Sequence, residues 1–171
     1  MTGLLTEKVK TSLEDIIKQC FYNNRIADRI VNLINVQFVM PNTEGILHEG
    51  YAHVMPKIAD LITDYMADRD CSAIYGETPK GDQEYETPLE CFRKLLEINL
   101  ELELLAKLAI KTSNEEGDYI TMIKVQDILI ERIVPLTSDL LTLVDKAENY
   151  NASLEWMTFD KDIYSFGIFE D

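Results

Sequence analysis

The sequence predicts an all-α fold, a four-helix bundle with one long crossover between the second and third helices. Hydrophobic periodicity marks four long helical stretches, and the joints between them are short, long and short. The middle joint, Arg69 to Thr87, reaches roughly 60 Å when extended, whereas a helix of about 24 residues is only about 36 Å long. We therefore expect the second and third helices to run parallel and the outer pairs to be antiparallel. The four stretches are Leu5 to Phe38, Glu44 to Asp68, Pro88 to Lys111 and Asp118 to Asn149.

The first stretch carries two successive apolar stripes with Asn23 and Asn24 between them. Because paired asparagines favour a break between periodic segments, residues 5–38 form either one long helix or two. The second and fourth stretches each contain a proline, Pro56 and Pro135. Proline removes a backbone donor, so each helix should be kinked or locally widened there, without ending, since the apolar period resumes at once.

The third stretch has a clear helix start signal, and the third and fourth stretches each carry an apolar stripe. Thr87-Pro88-Leu89-Glu90 is a capping box with proline at the first helical position, which predicts a helix start. Two polar residues, Asn99 and Asp127, interrupt otherwise apolar stripes. The apolar residues that recur with helical spacing on the fourth helix are Ile120, Ile123, Ile130, Val134, Leu141 and Val144.

The domain prediction is a bundle over residues 1–150 and an acidic, aromatic C-terminal tail over residues 151–171. Aromatic side chains are seldom left in water, so the tail should pack on its own bundle or on a neighbouring subunit. The aromatic residues of this tail are Trp156, Phe159, Tyr164, Phe166 and Phe169.

The composition excludes several classes of function. A formal net charge of −15 repels phosphate backbones, so direct DNA binding is not expected, although an acidic surface attracts cations. No window is apolar enough to cross a membrane, and the chain starts without a signal-peptide apolar run, so we expect a cytoplasmic protein. The cysteines lack CxxC spacing, which predicts buried or free thiols rather than a disulfide framework or a zinc site.

Both histidines of the chain, His48 and His53, lie at the start of the second helix with Glu49 between them. Glu49 and His53 are four residues apart and share a helix face, so they could present a carboxylate and an imidazole to one metal ion. In an ideal α-helix His48 points about 140° away from His53, so all three could serve one site only where chains meet. The alternative is that both histidines are surface residues without a ligand.

The turn before the second helix contains Pro41, and Leu47-His48-Glu49 and Tyr51 follow it. This pattern resembles the junction between the first two helices of the Dps-type mini-ferritins of the ferritin-like superfamily. Helix order and joint lengths extend the resemblance over residues 26–150. It implies a shell of twelve chains, and iron held between two subunits by histidines and carboxylates of the first two helices.

The ligands implied by this resemblance are only partly present. His48 matches the second-helix histidine, but Ala52 stands where an acidic residue is expected, and residues 35–37 contain no histidine. The acidic pair of the second helix falls beside Asp64 and Asp68, one residue out of register. The sequence therefore indicates a degenerate ferroxidase site, with candidate metal ligands His48, Glu49, His53, Asp64 and Asp68.

The leading interpretation is a Dps-like or ferritin-like homo-oligomer that binds iron and oxidises it only if the metal site is real. Imidazole and carboxylate ligands suit iron or zinc better than magnesium. The alternative is a metal-free helical bundle that serves as an interaction or assembly module. The intra-bundle arrangement of glutamates joined to Glu-x-x-His pairs is absent from the sequence, because neither histidine follows a glutamate by three residues.

Overall fold

A computed structural model describes residues 3–151 and 155–170, which form a four-helix bundle followed by a short helical segment. The first bundle helix is α1, Glu7–Val36, which is capped by the Thr6 hydroxyl. It is one continuous helix, so Asn23 and Asn24 do not divide it. Both asparagines instead bond to carbonyls of other helices, which removes their competition with the helix backbone.

The second and fourth bundle helices each contain a π-helical segment, in which the backbone widens. The second bundle helix consists of α2 Pro41–Leu47, a π-helix at His48–Ala52 and α3 Val54–Asp68. The fourth consists of α5 Tyr119–Ile128, a π-helix at Leu129–Ile133 and α6 Val134–Asn151. Each π-helix lies just before a proline, Pro56 or Pro135, so the predicted local widening is confirmed at both places.

The third bundle helix is α4, Pro88–Glu115, and it begins at the predicted capping box. The Glu90 amide donates to the Thr87 hydroxyl at 3.2 Å, and the Glu90 carboxylate accepts from the Glu86 amide at 2.8 Å. These bonds satisfy amides that a helix start leaves without intrahelical partners. Among the described residues, no helix has the length and apolarity that a membrane span requires.

Contacts at the helix ends fix the directions of the bundle helices. The Leu4 amide, just before α1, donates to the Arg69 carbonyl just after α3. Lys8 near the start of α1 pairs with Glu116 at the end of α4. Both α3 and α4 therefore run antiparallel to α1 and parallel to each other, as the joint lengths predicted.

The crossover between α3 and α4 follows the whole length of α1. Its Ile74 amide donates to Glu14 near the start of α1. Near the other end, Gln37 donates to the Tyr85 carbonyl at 3.2 Å. The predicted long crossover is therefore present, and with it the ferritin-like form of the four-helix bundle.

The apolar stripe of the fourth helix that the sequence shows lies mostly outside the core. Of this stripe only Val144 is buried, whereas Ile120, Ile123, Ile130, Val134 and Leu141 are exposed. The core face instead carries Val125, Ile128, Ile133, Leu136, Leu140 and Leu143. The fourth bundle helix is apolar on two sides, and the π-helix changes the helical register between its two halves. A single helical period applied to the whole stretch therefore selected the apolar residues of the outer side. Asp127 lies on that outer side and is exposed.

The C-terminal segment consists of α7, Trp156–Asp162, and a 3₁₀-helix at Ile163–Phe166. Phe159 stacks on Phe92 of α4 with ring centroids 5.6 Å apart. The buried Asp160 carboxylate accepts from the Thr43 amide at 2.7 Å and from its hydroxyl at 2.8 Å. A carboxylate at a helix N-terminus is favourable, so this tail residue stabilises the start of the second bundle helix. Residues 152–154 and 171 of the predicted tail lie outside the described residues.

Candidate metal centre

The structure brings His48 and His53 together on one side of the second bundle helix. Their ring centroids are 4.1 Å apart, and the His53 amide donates to the His48 carbonyl at 3.0 Å. This i to i+5 bond is the π-helical one, so residues five apart lie on the same side of the helix. The predicted 140° separation assumed an ideal α-helix and was wrong for this reason.

The widened turn depends on one residue that follows it in the same helix and on one residue of α1. Pro56 has no amide hydrogen, so the Ala52 carbonyl four residues before it lacks its usual helical donor. The side chain of Asn24 on α1 donates to that carbonyl at 2.8 Å. A buried carbonyl without a donor would be costly, so Asn24 stabilises the backbone that holds the two histidines.

The candidate ligands are His48, Glu49 and His53, whose donor atoms all lie within 4.8 Å of one another. Glu49 Oε1 is 3.2 Å from His53 Nδ1. Ligand atoms at about 2.1 Å from a tetrahedral ion are about 3.4 Å apart, so small side-chain rotations would bring this set to bonding geometry. Glu44, which sequence reasoning missed, adds a carboxylate oxygen 3.5 Å from His48 Nδ1. Its position four residues before His48 was the available signal.

The cluster is open to solvent. The side chains of His48, Glu49 and His53 are 39%, 74% and 45% exposed. Three ligands leave coordination positions for water or for groups from another chain, which is typical of open rather than closed metal sites. Water competes for such an ion, so one chain alone can provide only a weak site.

Asp64 and Asp68 do not belong to this cluster within one chain. Both are exposed on α3, eleven and fifteen residues after His53. At 1.5 Å per residue they lie about 16 Å and 22 Å farther along the helix. Their predicted contribution from the same chain is therefore wrong, while a contribution from a neighbouring chain stays a prediction.

The middle of the bundle holds a buried network of uncharged side chains. Asn23 of α1 donates to the Tyr51 hydroxyl at 3.3 Å and to the Ile98 carbonyl at 3.0 Å. The Tyr51 hydroxyl donates to Asn99 Oδ1 at 3.2 Å, and the Asn99 amide donates to Thr137 Oγ1 at 2.8 Å. Burial raises the pKa of the Tyr51 phenol well above its usual range, so the network stays neutral.

This network does not fit a di-metal centre of the kind that ferritin-like bundles can hold. Such a centre uses glutamates from two helices and Glu-x-x-His pairs from the other two. At the middle of this bundle stand two asparagines, a protonated tyrosine and a threonine, which are already bonded to one another. Asn99 was noticed in the sequence as a polar interruption, but nothing in the sequence connected it to Asn23 and Tyr51.

The cysteines take no part in the candidate centre. Cys20, Cys71 and Cys91 are all buried, in agreement with the expected buried thiols. Burial raises the pKa of the Cys20 and Cys91 thiols to about 12. A thiol in that state is a poor metal ligand, because the thiolate is the form that binds.

Solved structures show which fold this is. A humanized archaeal ferritin matches with a TM-score of 0.84 and 18% sequence identity, over 92% of this chain and 96% of that chain. Chlorobium tepidum ferritin matches with a TM-score of 0.81 and 15% identity, over 94% and 98%. An open-pore ferritin from Archaeoglobus fulgidus matches with a TM-score of 0.84 and 16% identity, over 92% and 95%. Neither the known family models nor the curated protein sequences give a match. The chain therefore has the ferritin-like four-helix fold.

Proposed function

We propose that this protein binds ferrous iron, or a divalent ion of similar chemistry, at the surface cluster of His48, Glu49 and His53. The observation that carries the proposal is the π-helix, which stacks two imidazoles that an α-helix would separate. π-Helical turns are frequent at functional sites. The ferritin-like fold supports iron as the ion, since the similar solved structures are ferritins.

The chemistry of the donor set agrees with such an ion. Imidazole nitrogen with carboxylate oxygen suits iron or zinc, whereas magnesium and calcium prefer oxygen ligands alone. The net charge of −15 raises the local concentration of cations near the surface. In this proposal the iron is cargo rather than a resident cofactor.

The proposed protein is a cytoplasmic homo-oligomer without an intra-bundle oxidation centre. In its Dps-like form, Asp64 or Asp68 of a second copy would complete the coordination left open at the cluster. Any oxidation of iron would then take place between chains. The neutral network around Tyr51 supports an oxidation site outside the bundle interior, because uncharged side chains that bond to one another occupy the middle of the bundle.

Titration with ferrous iron under anaerobic conditions, and in parallel with zinc, tests the proposal. We expect His48→Ala and His53→Ala each to weaken binding at least tenfold, the usual order for losing a ligand or its support. Asp60→Ala is the matched control, because Asp60 is an exposed carboxylate of α3 away from the cluster. If the histidine variants bind as tightly as the wild type, or if the wild type binds neither ion, the proposed function is wrong.

A metal-free interaction or assembly module is the second candidate function. It is favoured by the same uncharged network, which needs no ion to satisfy its polar groups, and by the apolar residues on the outside of the fourth helix. Elemental analysis of untagged protein separates the two functions. Iron or zinc bound in proportion to the chain supports the first, and its absence after incubation with both ions supports the second.

A further inference from the structure

An exposed apolar face lies on the outside of α4 and α6. It consists of Leu100 and Leu104 on α4 and of Val134 and Leu141 on α6, which are between 43% and 48% exposed. We call these four residues the outer apolar face. Single exposed apolar residues are ordinary, but a group of them on adjacent helices is typical of an interaction site.

An ion pair shows that both halves of this face lie on the same side of the bundle. Arg93 of α4 pairs with Glu148 of α6 at 3.1 Å, and both side chains are about half exposed. The two leucines on α4 follow Arg93 by seven and eleven residues, and the two residues on α6 precede Glu148 by seven and fourteen. At 100° per residue, all four lie within about 40° of the side that carries the pair. The outer apolar face therefore borders the seam between the two helices.

Two ion pairs beside the seam are formed within the chain. Besides the Arg93–Glu148 pair, Lys107 Nζ lies 3.2 Å from Glu103 Oε2. The other oxygen of Glu103 accepts from the Thr137 hydroxyl at 2.9 Å. Covering these two ion pairs would bury no unpaired charge, whereas the exposed carboxylates of Glu101 and Asp145 must stay in the solvated rim of an interface.

The two helices of this face are also closer to charge balance than the second bundle helix. Residues 88–115 contain five acidic and four basic residues, and residues 119–151 contain five acidic and three basic residues. The second bundle helix, residues 41–68, contains five acidic residues and one basic residue. Because a chain of net charge −15 repels its own copies, association is opposed less at this face than at the second bundle helix.

We propose that the outer apolar face binds the same face of a second copy of this chain, with two-fold symmetry. The proposal names the contact surface for the homo-oligomer of the proposed function and rests on that part of it. The face is about 10 Å long, from Val134 to Leu141, and two helices, or about 20 Å, wide, which gives on the order of 200 Å². That area fits the apolar centre of a standard interface, which buries about 800 Å² per partner with its polar rim.

Analytical ultracentrifugation over a range of concentrations tests the proposal, with a chelator present so that metal cannot link chains. The wild type should sediment as a multiple of 19.7 kDa. Leu104→Glu and Leu141→Glu should each weaken association at least tenfold, because each places a charge in the apolar centre. Met157→Glu, at a site that is 86% exposed on α7, is the matched control and should associate like the wild type.

Circular dichroism melting of each variant shows whether it remains folded. Leu104→Ser removes apolar surface without adding charge, so it should weaken association even if a glutamate at that position lowers stability. The proposal is overturned if the wild type is a monomer at every concentration, or if folded variants of the face associate as the wild type does. The chelator removes metal from this assay, so failure of the interface and failure of metal binding are separate results.

Discussion

Replacing Tyr51 with phenylalanine tests the buried network that occupies the middle of the bundle. The change removes one hydroxyl that accepts from Asn23 and donates to Asn99. Asn23 keeps its bond to the Ile98 carbonyl, but Asn99 Oδ1 loses the donor that it has here and stays buried. A buried polar atom left without a partner costs about 1–3 kcal/mol, so we expect the free energy of unfolding to fall by about 2 kcal/mol.

Urea unfolding followed by circular dichroism measures this loss, and the melting temperature should fall by roughly 4–8 °C. Tyr65→Phe is the matched control, because the Tyr65 hydroxyl has one hydrogen-bond partner, Thr121 Oγ1 at 2.7 Å. This substitution should lower the free energy of unfolding by about 1 kcal/mol. Tyr164 is 65% exposed, so Tyr164→Phe should have no measurable effect. If Tyr51→Phe unfolds within about 0.5 kcal/mol of the wild type, the network does not stabilise the bundle and our account of it is wrong.

Two further predictions concern the π-helix that forms the metal cluster. Asn24→Ala leaves the buried Ala52 carbonyl without its side-chain donor, so we expect a loss of about 1–2 kcal/mol in urea unfolding and weaker zinc binding in calorimetry; unchanged zinc affinity would contradict the link between that bond and the site. Gly50→Ala would place a Cβ 2.5 Å from the Phe169 Cβ, so the tail should be displaced and its amide hydrogens should exchange faster. Gly45→Ala is its control, because nothing lies within 4 Å of the added Cβ, and it should instead stabilise the helix by about 0.5–1 kcal/mol.

The lengths of the connections and the helix start signals were sufficient to predict the bundle and its crossover. Helix order, the capping box at Thr87 and the widening at both prolines follow from local chemistry, which a sequence records directly. The buried side of the fourth helix was not predictable in the same way. Two apolar stripes run along that helix, and only its neighbours determine that Ile133 and Leu140 face inward while Ile130 and Leu141 face outward.

The candidate centre was predicted in part. Glu49 and His53 are four residues apart and face each other as expected. Ideal α-helix geometry predicted that His48 points away from them, but the extra residue in a π-helical turn changes that geometry. The network around Tyr51 could not be predicted, because its bonds join residues that are distant along the chain and no local pattern records them.

Nitrogen NMR of the histidine side chains during zinc titration tests the central claim most directly. The chain contains two histidines, so every imidazole signal belongs to His48 or His53. We predict that both shift together and saturate at one zinc ion per chain, because the π-helix places them at one site. Both signals staying unchanged at several equivalents of zinc would contradict the claim, as would saturation of one imidazole while the other does not respond.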